Sequence, residues 1–286
     1  MNKKFVNISI VLYKNNKKQI QKVINMLIKN LDINLYLIDN SPTNTLKELA
    51  NIDQRIEYIF NNANLGYGKG HNIAMQKSIK ENIKYHLVMN PDVYFEEGVL
   101  TNLYEFMEKN LDVGLVMPKV FYQDGNIQYL CKLLPTPFDL FGRRFLSFLP
   151  LFKKYIEKRN KIYELRITEY DSMMEVPYLS GCFMFMRVDV LEEVGLFDER
   201  FFMYLEDVDL SRRIHTHYKT VYYPNVNIYH EYRKDSYKNF KILLLHINSA
   251  IKYFKKWGWV FDKERKLINE KVLNNIHLKV KEENGT

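Results

Sequence analysis

The chain has 286 residues, 47% of them hydrophobic, which suits one large domain, or a domain with an appendage, around a sizeable core. Its formal net charge of +8 favours anionic partners such as nucleotides, diphosphates or acidic lipid surfaces. The basic residues are spread out and no nucleic-acid-binding module is recognisable, so we expect no nucleic-acid partner. Two cysteines, Cys131 and Cys182, exclude a disulfide framework and a cysteine-rich metal cluster.

The chain shows neither a secretory signal nor an apolar run of the roughly 18 residues needed to cross a bilayer. We therefore expect a cytoplasmic protein that touches, at most, the inner face of the plasma membrane. Residues 138–155 are a candidate for that contact, because Phe and Leu alternate there with Arg and Lys. The alternative is a loop or helix that packs on the domain, since Pro150 interrupts a long amphipathic helix.

The first part of the chain alternates apolar strands with amphipathic helices, which predicts an α/β fold with a mostly parallel sheet. In such sheets ligands bind at the carboxyl ends of strands, where Tyr13, Asp39 and Asn40 fall. The predicted elements are strands at Phe5–Tyr13, Leu35–Ile38, Ile56–Phe60 and Tyr85–Met89, a helix at Lys17–Leu31 and a short helix at Leu46–Ala50.

A glycine-rich loop follows the third strand, with Gly66, Gly68 and Gly70 at alternate positions before a predicted helix. The spacing does not match the dinucleotide-binding fingerprint, because His71 stands inside the required pattern. The loop suits close approach of the backbone to a ligand, with a helix N-terminus to hold negative charge. The alternative is a tight structural turn.

Two further sites could hold a cation. Asp92 follows the fourth strand after a turn set by Pro91, a place suited to a hard cation that bridges phosphates. The alternative for Asp92 is a cap on the following helix. His230 ends a late strand and is either a metal ligand or a surface residue.

The segment Phe197–Arg213 is the most distinctive stretch of the chain. Aromatic residues lead into three carboxylates, Glu206, Asp207 and Asp209. Carboxyl groups that are crowded together beside apolar residues have raised pKa values, and this is one way in which a protein makes a general base. The alternative is a set of acids that favour the N-terminus of a helix, which we predict from Leu205 to Tyr218.

The other predicted elements position this segment. His215 and His217 do not share a helical face and are expected to be exposed. The remaining predicted elements complete the sheet and form a basic helical tail. Trp257, Trp259 and Phe261 are expected to anchor that tail. The strands are predicted at Val113–Phe121, Ile127–Leu130, Val176–Met186, Thr220–Tyr223 and Val226–Tyr229, and a short helix at Val188–Val194 ends at Gly195.

Taken together and in order, these motifs resemble the family-2 glycosyltransferases of the GT-A fold, especially bacterial rhamnosyltransferase-like members. The resemblance covers about residues 5 to 232, so we expect a GT-A domain over 1–232, with a variable insert at 132–172, and a helical extension over 233–286. The motifs are SIVLYKN (9–15), IDNS (38–41), NxGYGxGHN (64–72), NPD (90–92), SGCFMFMR (180–187), GLFDERFFMYLEDVDLSRR (195–213) and His230.

The resemblance implies roles for individual residues. Asp207 would be the catalytic base, Glu206 and Asp209 would tune it or hold the acceptor, and Arg212 or Arg213 would pair with these acids. Asp92 and His230 would bind Mg²⁺ or Mn²⁺, although Asn90 replaces the first acid of the family's DxD motif. The residues implied around the nucleotide sugar are Tyr13, Asp39, Asn40, Asn64, Gly66, Gly68, Asn72, Asn90, Asp92 and Arg213.

The expected reaction is transfer of a sugar with inversion, because the resemblance implies one base and no positioned nucleophile. The expected donor is a nucleotide sugar, with dTDP-rhamnose first. The expected acceptor is a glycan or a lipid-linked oligosaccharide of a bacterial surface polysaccharide, an O-antigen or a capsule. Other donors (UDP-hexose, UDP-galactofuranose), a nucleotidyltransferase and a non-catalytic lectin-like module are the alternatives.

Overall fold

The computed structural model describes residues 6–29, 33–142, 150–231 and 240–284, with side chains as far as residue 276. A nine-stranded sheet lies at its centre. The described residues form the strands Val6–Leu12 (β1), Ile33–Asp39 (β2), Ile56–Phe60 (β3), Tyr85–Met89 (β4), Val93–Tyr94 (β5), Val113–Phe121 (β6), Cys131–Lys132 (β7), Met174–Glu175 (β8), Tyr178–Leu179 (β9), Phe183–Arg187 (β10) and Lys219–His230 (β11). Of these, β7 and β9 pair with each other in a separate two-stranded sheet, and the other nine form the central sheet.

Helices cover the sheet, as the alternating pattern predicted. They are Lys17–Leu27 (α1), Tyr67–Lys80 (α2), Val99–Lys109 (α3), Pro150–Tyr163 (α4), Val188–Val194 (α5), Glu206–His217 (α6), Phe240–Trp257 (α7) and Lys263–Asn284 (α8), with a 3₁₀ helix at Lys47–Ile52 and a π-helical turn at Phe138–Gly142. Among the described residues, no helix is both long enough and apolar enough to cross a bilayer.

The strand order is β3-β2-β1-β4-β10-β6-β11-β5, with β8 added against β11. The first four of these strands run parallel, so their carboxyl ends meet at one edge, where Leu12 pairs with Asp39 and Asp39 with Phe60. β1 is buried on both faces, which is why its sequence is an almost continuous apolar run. The predicted mixed, mostly parallel sheet flanked by helices is confirmed.

The second part of the sheet is mixed, because β10, β5 and β8 run opposite to the other strands. β10 lies antiparallel between β4 and β6, so its first residue, Phe183, pairs with Met89 at the end of β4. β11 runs parallel to β6, and its last residue, His230, pairs with Val93 of β5. The turn before β10 and the end of β11 therefore reach the edge where β4 ends.

Several predicted boundaries differ from the structure. Only Ile127 of the predicted strand Ile127–Leu130 makes a bridge, to Phe121, and regular pairing begins at β7. The predicted strand Val176–Met186 is two strands, β9 and β10, separated by the turn at Ser180–Cys182. β11 replaces two predicted strands, because pairing resumes after a register shift between Tyr223 and Asn227. Phe5 and Leu31, predicted element ends, lie outside the described residues.

The C-terminal helices pack on the segment around α6. Ala250, Tyr253 and Phe254 of α7 share a buried cluster with Phe201, Leu205 and Val208, which precede or lie in α6. Trp257 and Trp259 contribute as predicted, through a hydrogen bond to Asp209 (2.8 Å) and a stack on Phe141. Phe261 was predicted wrongly as an anchor, because it is 97% exposed in the turn after α7. The predicted boundary at 232/233 lies outside the described residues and stays a prediction.

Candidate active site

The N-terminus of α6 presents two consecutive acids in a constrained backbone. Tyr204 and Leu205, directly before Glu206, have φ angles of 70° and 66°, in the left-handed region that costs a non-glycine residue about 1–3 kcal/mol. Leu205 is buried in the cluster with α7, and the Ser249 hydroxyl donates to the Met203 carbonyl at 2.8 Å. Docking of α7 thus helps to hold the turn that aims these acids.

Three donors hold the Asp207 carboxylate. The Gly181 backbone N–H and the Tyr178 hydroxyl donate to Oδ2 at 2.9 and 3.2 Å, and the Val208 N–H donates to Oδ1 at 2.9 Å. Burial raises the pKa of Asp207 despite these hydrogen bonds, which act in the opposite direction. The carboxylate is thus oriented, half-buried and more basic than an ordinary aspartate, which suits a general base.

Glu206 is more deeply buried than its neighbour, with 4% of its surface exposed. Burial, and then the charge of Asp207, raise its pKa to about 8. Its Oε2 atom is buried without a hydrogen-bond partner. With a pKa of about 8, Glu206 holds a proton at neutral pH, so the two neighbouring carboxyl groups are not both charged.

Tyr67 and Gly181 complete the surroundings of Asp207. The Tyr67 hydroxyl donates to the Gly181 carbonyl oxygen, and burial followed by the charges of Glu206 and Asp207 raises its pKa. A Cβ on Gly181 would lie 3.2 Å from the Asp207 Cβ and 3.4 Å from the Tyr67 hydroxyl oxygen. Sequence reasoning missed Tyr67 and Tyr178 as neighbours of the base, although Tyr67 lies within the glycine-rich motif.

A second polar group lies at the end of β4. His230 Nε2 is 3.4 Å from Asp92 Oδ1 and 3.3 Å from Asn90 Nδ2. The Glu231 N–H donates to the Asp92 carbonyl at 3.0 Å and keeps the chain after β11 beside this turn. The structure thus brings together the three residues to which the resemblance assigned metal or diphosphate binding.

Gln128 was not singled out in the sequence. It is buried and donates from Nε2 to the His230 carbonyl at 2.7 Å, while its Oε1 lies 3.0 Å from His230 Nδ1. Because a carbonyl only accepts, the amide nitrogen must face it, which leaves Oε1 as the acceptor for a proton on Nδ1. With its Nδ1 held by Gln128, the ring turns Nε2 towards Asp92.

The donor atoms at this position fit a divalent cation. The imidazole Nε2 of His230 and a carboxylate oxygen of Asp92 lie side by side with the Asn90 amide, and nitrogen and oxygen atoms of these types are ligands that divalent cations take. The described residues contain no group of three or more His, Cys, Asp or Glu side chains that could hold a metal. A cation here would therefore draw further ligands from a bound diphosphate and water.

The two polar groups are joined by adjacent residues of one turn. The Gly181 N–H binds Asp207, and the carbonyl of the next residue, Cys182, accepts from the Asn90 N–H at 2.9 Å. Consecutive Cα atoms are about 3.8 Å apart, so this turn spans the short gap between the acid pair and the end of β4. The base candidate and the cation candidate therefore lie at one edge of the sheet.

The glycine-rich loop packs closely on the segment before α6. A Cβ on Gly66, whose φ is +86°, would lie 2.2 Å from the Phe202 carbonyl oxygen, and one on Gly68 would lie 2.8 Å from the Phe197 Cβ. The Asn64 side chain accepts from the Gly66 N–H at 3.1 Å. Protein contacts of the loop thus explain the glycines, in line with the structural-turn alternative.

Asp39, Asn40 and Asn72 are buried and internally bonded. Asp39 accepts from the Tyr58 hydroxyl at 2.5 Å and the Ser41 N–H at 2.8 Å. Asn40 Nδ2 donates to the Gly66 carbonyl (3.0 Å), and Asn72 exchanges two hydrogen bonds with the Phe197 backbone (2.9 and 3.1 Å). Tyr13, directly after β1, is 48% exposed and accessible to a ligand.

Asp209 and Arg213 make structural contacts. Asp209 has no exposed surface and binds Lys256 at 2.6 Å, Trp257 at 2.8 Å and Arg213 at 3.0 Å. Arg213 also donates to three backbone carbonyls at the end of α5. The predicted pairing of Arg213 with an acid is confirmed, but these contacts tie α6 to α5 and α7 instead of reaching the Asp207 carboxylate.

Arg212 pairs with an acid outside the predicted cluster, and His215 differs from prediction. The Arg212 guanidinium is buried and binds Asp262 at 2.7 and 2.9 Å, so it holds the C-terminal helices and not the acid pair. His215 was predicted to be exposed, but its Nδ1 lies 2.8 Å from the Thr220 hydroxyl and burial lowers its pKa to about 4. His217 is exposed as predicted.

The fold and the edge at which these polar groups meet define a GT-A glycosyltransferase. The structure of GalNAc-T7 with UDP, GalNAc and Mn²⁺ is one such neighbour, aligned over 92% of this chain and 49% of that one (TM-score 0.64, 15% identity). Another is the Pyrobaculum calidifontis mannosyltransferase PcManGT with GDP-Man and Mn²⁺ (TM-score 0.56, 12% identity, 96% of this chain and 75% of that one).

A model of glycosyl transferase family 2 matches residues 9–195, and the chain belongs to this family. It is 26% identical over 178 residues to the low-salt glycan biosynthesis hexosyltransferase Agl10 of Haloferax volcanii (62% of this chain, 52% of that protein). It is 27% identical over 210 residues to the N-acetylglucosaminyl-diphospho-decaprenol L-rhamnosyltransferase of Mycobacterium tuberculosis (69% and 66%). The chain thus spans about half of the first relative and two thirds of the second.

Proposed function

We propose that this chain transfers a sugar from a nucleotide sugar to an acceptor hydroxyl with inversion, using Asp207 as the general base. The observation that carries the proposal is the turn at Gly181–Cys182, which hydrogen-bonds to Asp207 on one side and to Asn90 on the other. A base and a diphosphate site must both lie close to the anomeric carbon for a single displacement. This turn supports that arrangement.

The proposed donor is dTDP-rhamnose and the proposed acceptor is a lipid-linked glycan of a surface polysaccharide. The support is the name of the mycobacterial relative, an L-rhamnosyltransferase that acts on a diphospho-decaprenol, and a second relative, the rhamnosyltransferase WbbL of Escherichia coli K12 (24% identity over 225 residues). UDP-hexoses and UDP-galactofuranose are the competing donors. Contact with the membrane surface follows from a lipid-linked acceptor.

In the proposed reaction the acceptor hydroxyl donates its proton to the Asp207 carboxylate. The hydroxyl oxygen forms a bond to the anomeric carbon while the bond from that carbon to the diphosphate breaks, and the nucleoside diphosphate leaves with the electron pair. The three hydrogen bonds on Asp207 keep the carboxylate oriented during this transfer. The proton on Glu206 keeps the pair from carrying two negative charges beside an anionic donor.

Asp92 and His230 would hold the divalent cation, with the Asn90 amide beside them. When bound, Mg²⁺ or Mn²⁺ supplies electrostatic stabilisation of the negative charge that develops on the leaving diphosphate. Gln128 keeps the His230 ring in the orientation and tautomer that this role requires.

The test is a panel of nucleotide sugars, assayed for donor hydrolysis and transfer with and without divalent metal, on the wild-type chain and Asp207→Asn. The variant should lose turnover by a factor of about 10² to 10⁴ while its dissociation constant for the nucleoside diphosphate stays within about threefold. Full turnover in the variant would refute the role of Asp207. No turnover of any donor by the wild-type chain would refute the proposed reaction.

A further inference from the structure

The outer side of α7 carries an apolar stripe. Phe240 is 71% exposed and Leu244 is 50% exposed, and Ile247 and Ile251 continue the line at helical spacing while half-buried. Ser249 and Tyr253 lie on the opposite side of the helix and are buried, and Ala250 and Phe254, between that side and the stripe, are buried as well. α7 is thus apolar both where it packs on the protein and along its outer side.

A basic pocket continues this side of α7. Lys255 lies one turn beyond Ile251 in the line of the stripe, and Lys252 lies beside it. With Lys256 and Arg200 these lysines line a cavity of about 320 Å³. Asp198 pairs with both Lys256 and Arg200, and Asp209 pairs with Lys256 but also with Arg213, so positive charge is in excess at the pocket.

An apolar stripe that ends in a basic pocket matches one kind of partner. A bilayer that contains acidic phospholipids offers acyl chains to Phe240 and Leu244 and phosphate groups to Lys252 and Lys255. Long lysine side chains can reach the phosphates while their stems lie along apolar surface. A second protein copy would satisfy the stripe but would add four further cations to the pocket, which like-charge repulsion disfavours.

The inner side of α7 contacts the segment that leads to the acid pair. The Ser249 hydroxyl binds the Met203 carbonyl, three residues before Glu206, and at the pocket Lys252 Nζ donates to the Arg200 carbonyl at 2.5 Å. A helix with its side chains is about 10–12 Å thick. A bilayer against the outer side of α7 would therefore lie about that distance from the segment carrying the proposed base, within reach of a lipid-linked acceptor.

We infer that the outer side of α7, from Phe240 to Lys255, together with the pocket at Arg200, docks on the surface of a membrane that contains anionic phospholipids. These residues are not those of the segment 138–155 singled out in the sequence, of which 143–149 lie outside the described residues. The inference deepens the proposed function and rests on it for the lipid-linked acceptor. Membrane docking itself can be measured without sugar transfer, so the two can fail separately.

The experiment is flotation of the full chain with vesicles of phosphatidylcholine alone or mixed equally with phosphatidylglycerol. The wild-type chain should float with the mixed vesicles and remain behind with the neutral ones. Leu244→Asp combined with Lys255→Glu should weaken vesicle binding about tenfold or more. The first change puts a negative charge on the apolar stripe, and the second replaces a positive charge of the pocket by a negative one. Thermal unfolding of this variant checks that it is folded, and donor hydrolysis should be unchanged.

The matched control is Leu111→Asp combined with Lys109→Glu, which makes the same change at an exposed leucine and an exposed lysine near the end of α3. It should bind the mixed vesicles like the wild-type chain. Equal loss in both double variants, equal binding to neutral vesicles, or loss with Leu151→Asp of α4 but not with the α7 variant would overturn the inference. So would a dimer in solution that the α7 variant dissociates.

Discussion

Gln128 holds His230 at two points, the backbone carbonyl at 2.7 Å and the ring Nδ1 at 3.0 Å. The two contacts together leave one tautomer for the neutral ring, with its lone pair on Nε2. That atom faces Asp92 Oδ1 at 3.4 Å. The amide thus determines the chemistry that His230 presents at the end of β4.

The first prediction concerns this amide. Gln128→Leu removes both contacts, so the His230 ring is free to rotate and to change tautomer. We expect the affinity for Mn²⁺, measured by calorimetry in the presence of dTDP or UDP, to fall by about tenfold to a hundredfold. Gln123→Leu is the matched control, because Gln123 binds the neighbouring Glu231 at 2.7 Å on the exposed side. Equal losses in the two variants would contradict a specific role for Gln128.

The second prediction separates the two acids at the start of α6. Glu206 holds a proton at neutral pH, since its pKa is raised to about 8, and Glu206→Gln replaces a protonated acid by an amide of the same shape. We expect this variant to keep turnover within about tenfold, whereas Asp207→Asn loses a factor of about 10² to 10⁴. The measurement is kcat for sugar transfer at neutral pH. If the order of the two losses were reversed, Glu206 would be the base.

The third prediction is a dependence of stability on pH. The pKa of Glu206 is higher in the folded chain than its ordinary value of 4.5, so the folded state retains a proton that the unfolded state releases. The contribution of Glu206 to the stability of the folded chain is fully present below about pH 4.5 and is lost as the pH rises to about 8.

We therefore expect the free energy of unfolding of Glu206→Gln, relative to the wild-type chain, to increase between these pH values by an amount on the order of a few kcal/mol. Chemical denaturation at a series of pH values measures it. Taking the difference between the two chains cancels the opposite trend of His86, whose pKa burial lowers to about 3. A difference that does not change with pH would show that Glu206 ionises normally in the folded chain.

The fourth prediction concerns the attachment of the C-terminal helices. Arg212 and Asp262 form a buried pair with two hydrogen bonds, and the Arg212 guanidinium also lies 4.0 Å from the centre of the Trp257 ring. Asp262→Asn leaves the buried guanidinium without its main counter-charge, which we expect to cost about 3–5 kcal/mol of unfolding free energy.

The control for this change is Glu48→Gln, which breaks the ion pair of Glu48 with Lys17 at a site where both side chains are about half exposed. We expect it to cost less than about 1 kcal/mol. The melting temperatures of both variants measure the contrast. Similar small effects in the two would mean that Arg212 finds another partner or water once the carboxylate is lost.

The sequence alone predicted the elements that depend on local pattern. The apolar runs at Tyr85–Met89 and Val113–Phe121 and the helix Val188–Val194 with its C-terminal glycine all have the predicted bounds. Their signals, continuous apolar residues and a glycine with positive φ, lie within a few residues along the chain. The order of motifs likewise sufficed to predict the α/β fold and the glycosyltransferase family.

Residues whose roles depend on distant partners could not be read in this way. Asp209 and Arg213 stand in the same acidic motif as Asp207, yet their side chains join α6 to α5 and α7. The motif shows which residues are charged. Packing decides which of them face solvent, which face a neighbouring helix and which face the cleft. Gln128, in a stretch predicted as a plain strand, was missed for the same reason.

By itself, then, the amino-acid sequence determined the kinds of element, their order along the chain and the chemical types available at the strand ends, because these follow from local spacing. Only the tertiary structure decided that Gly181 and Cys182 join Asp207 to Asn90 and that Gln128 meets His230. Those contacts link residues 26 to 102 positions apart. They exist because β10 inserts antiparallel beside β4 and β11 ends at the same edge, a pairing over long separations that no local pattern specifies.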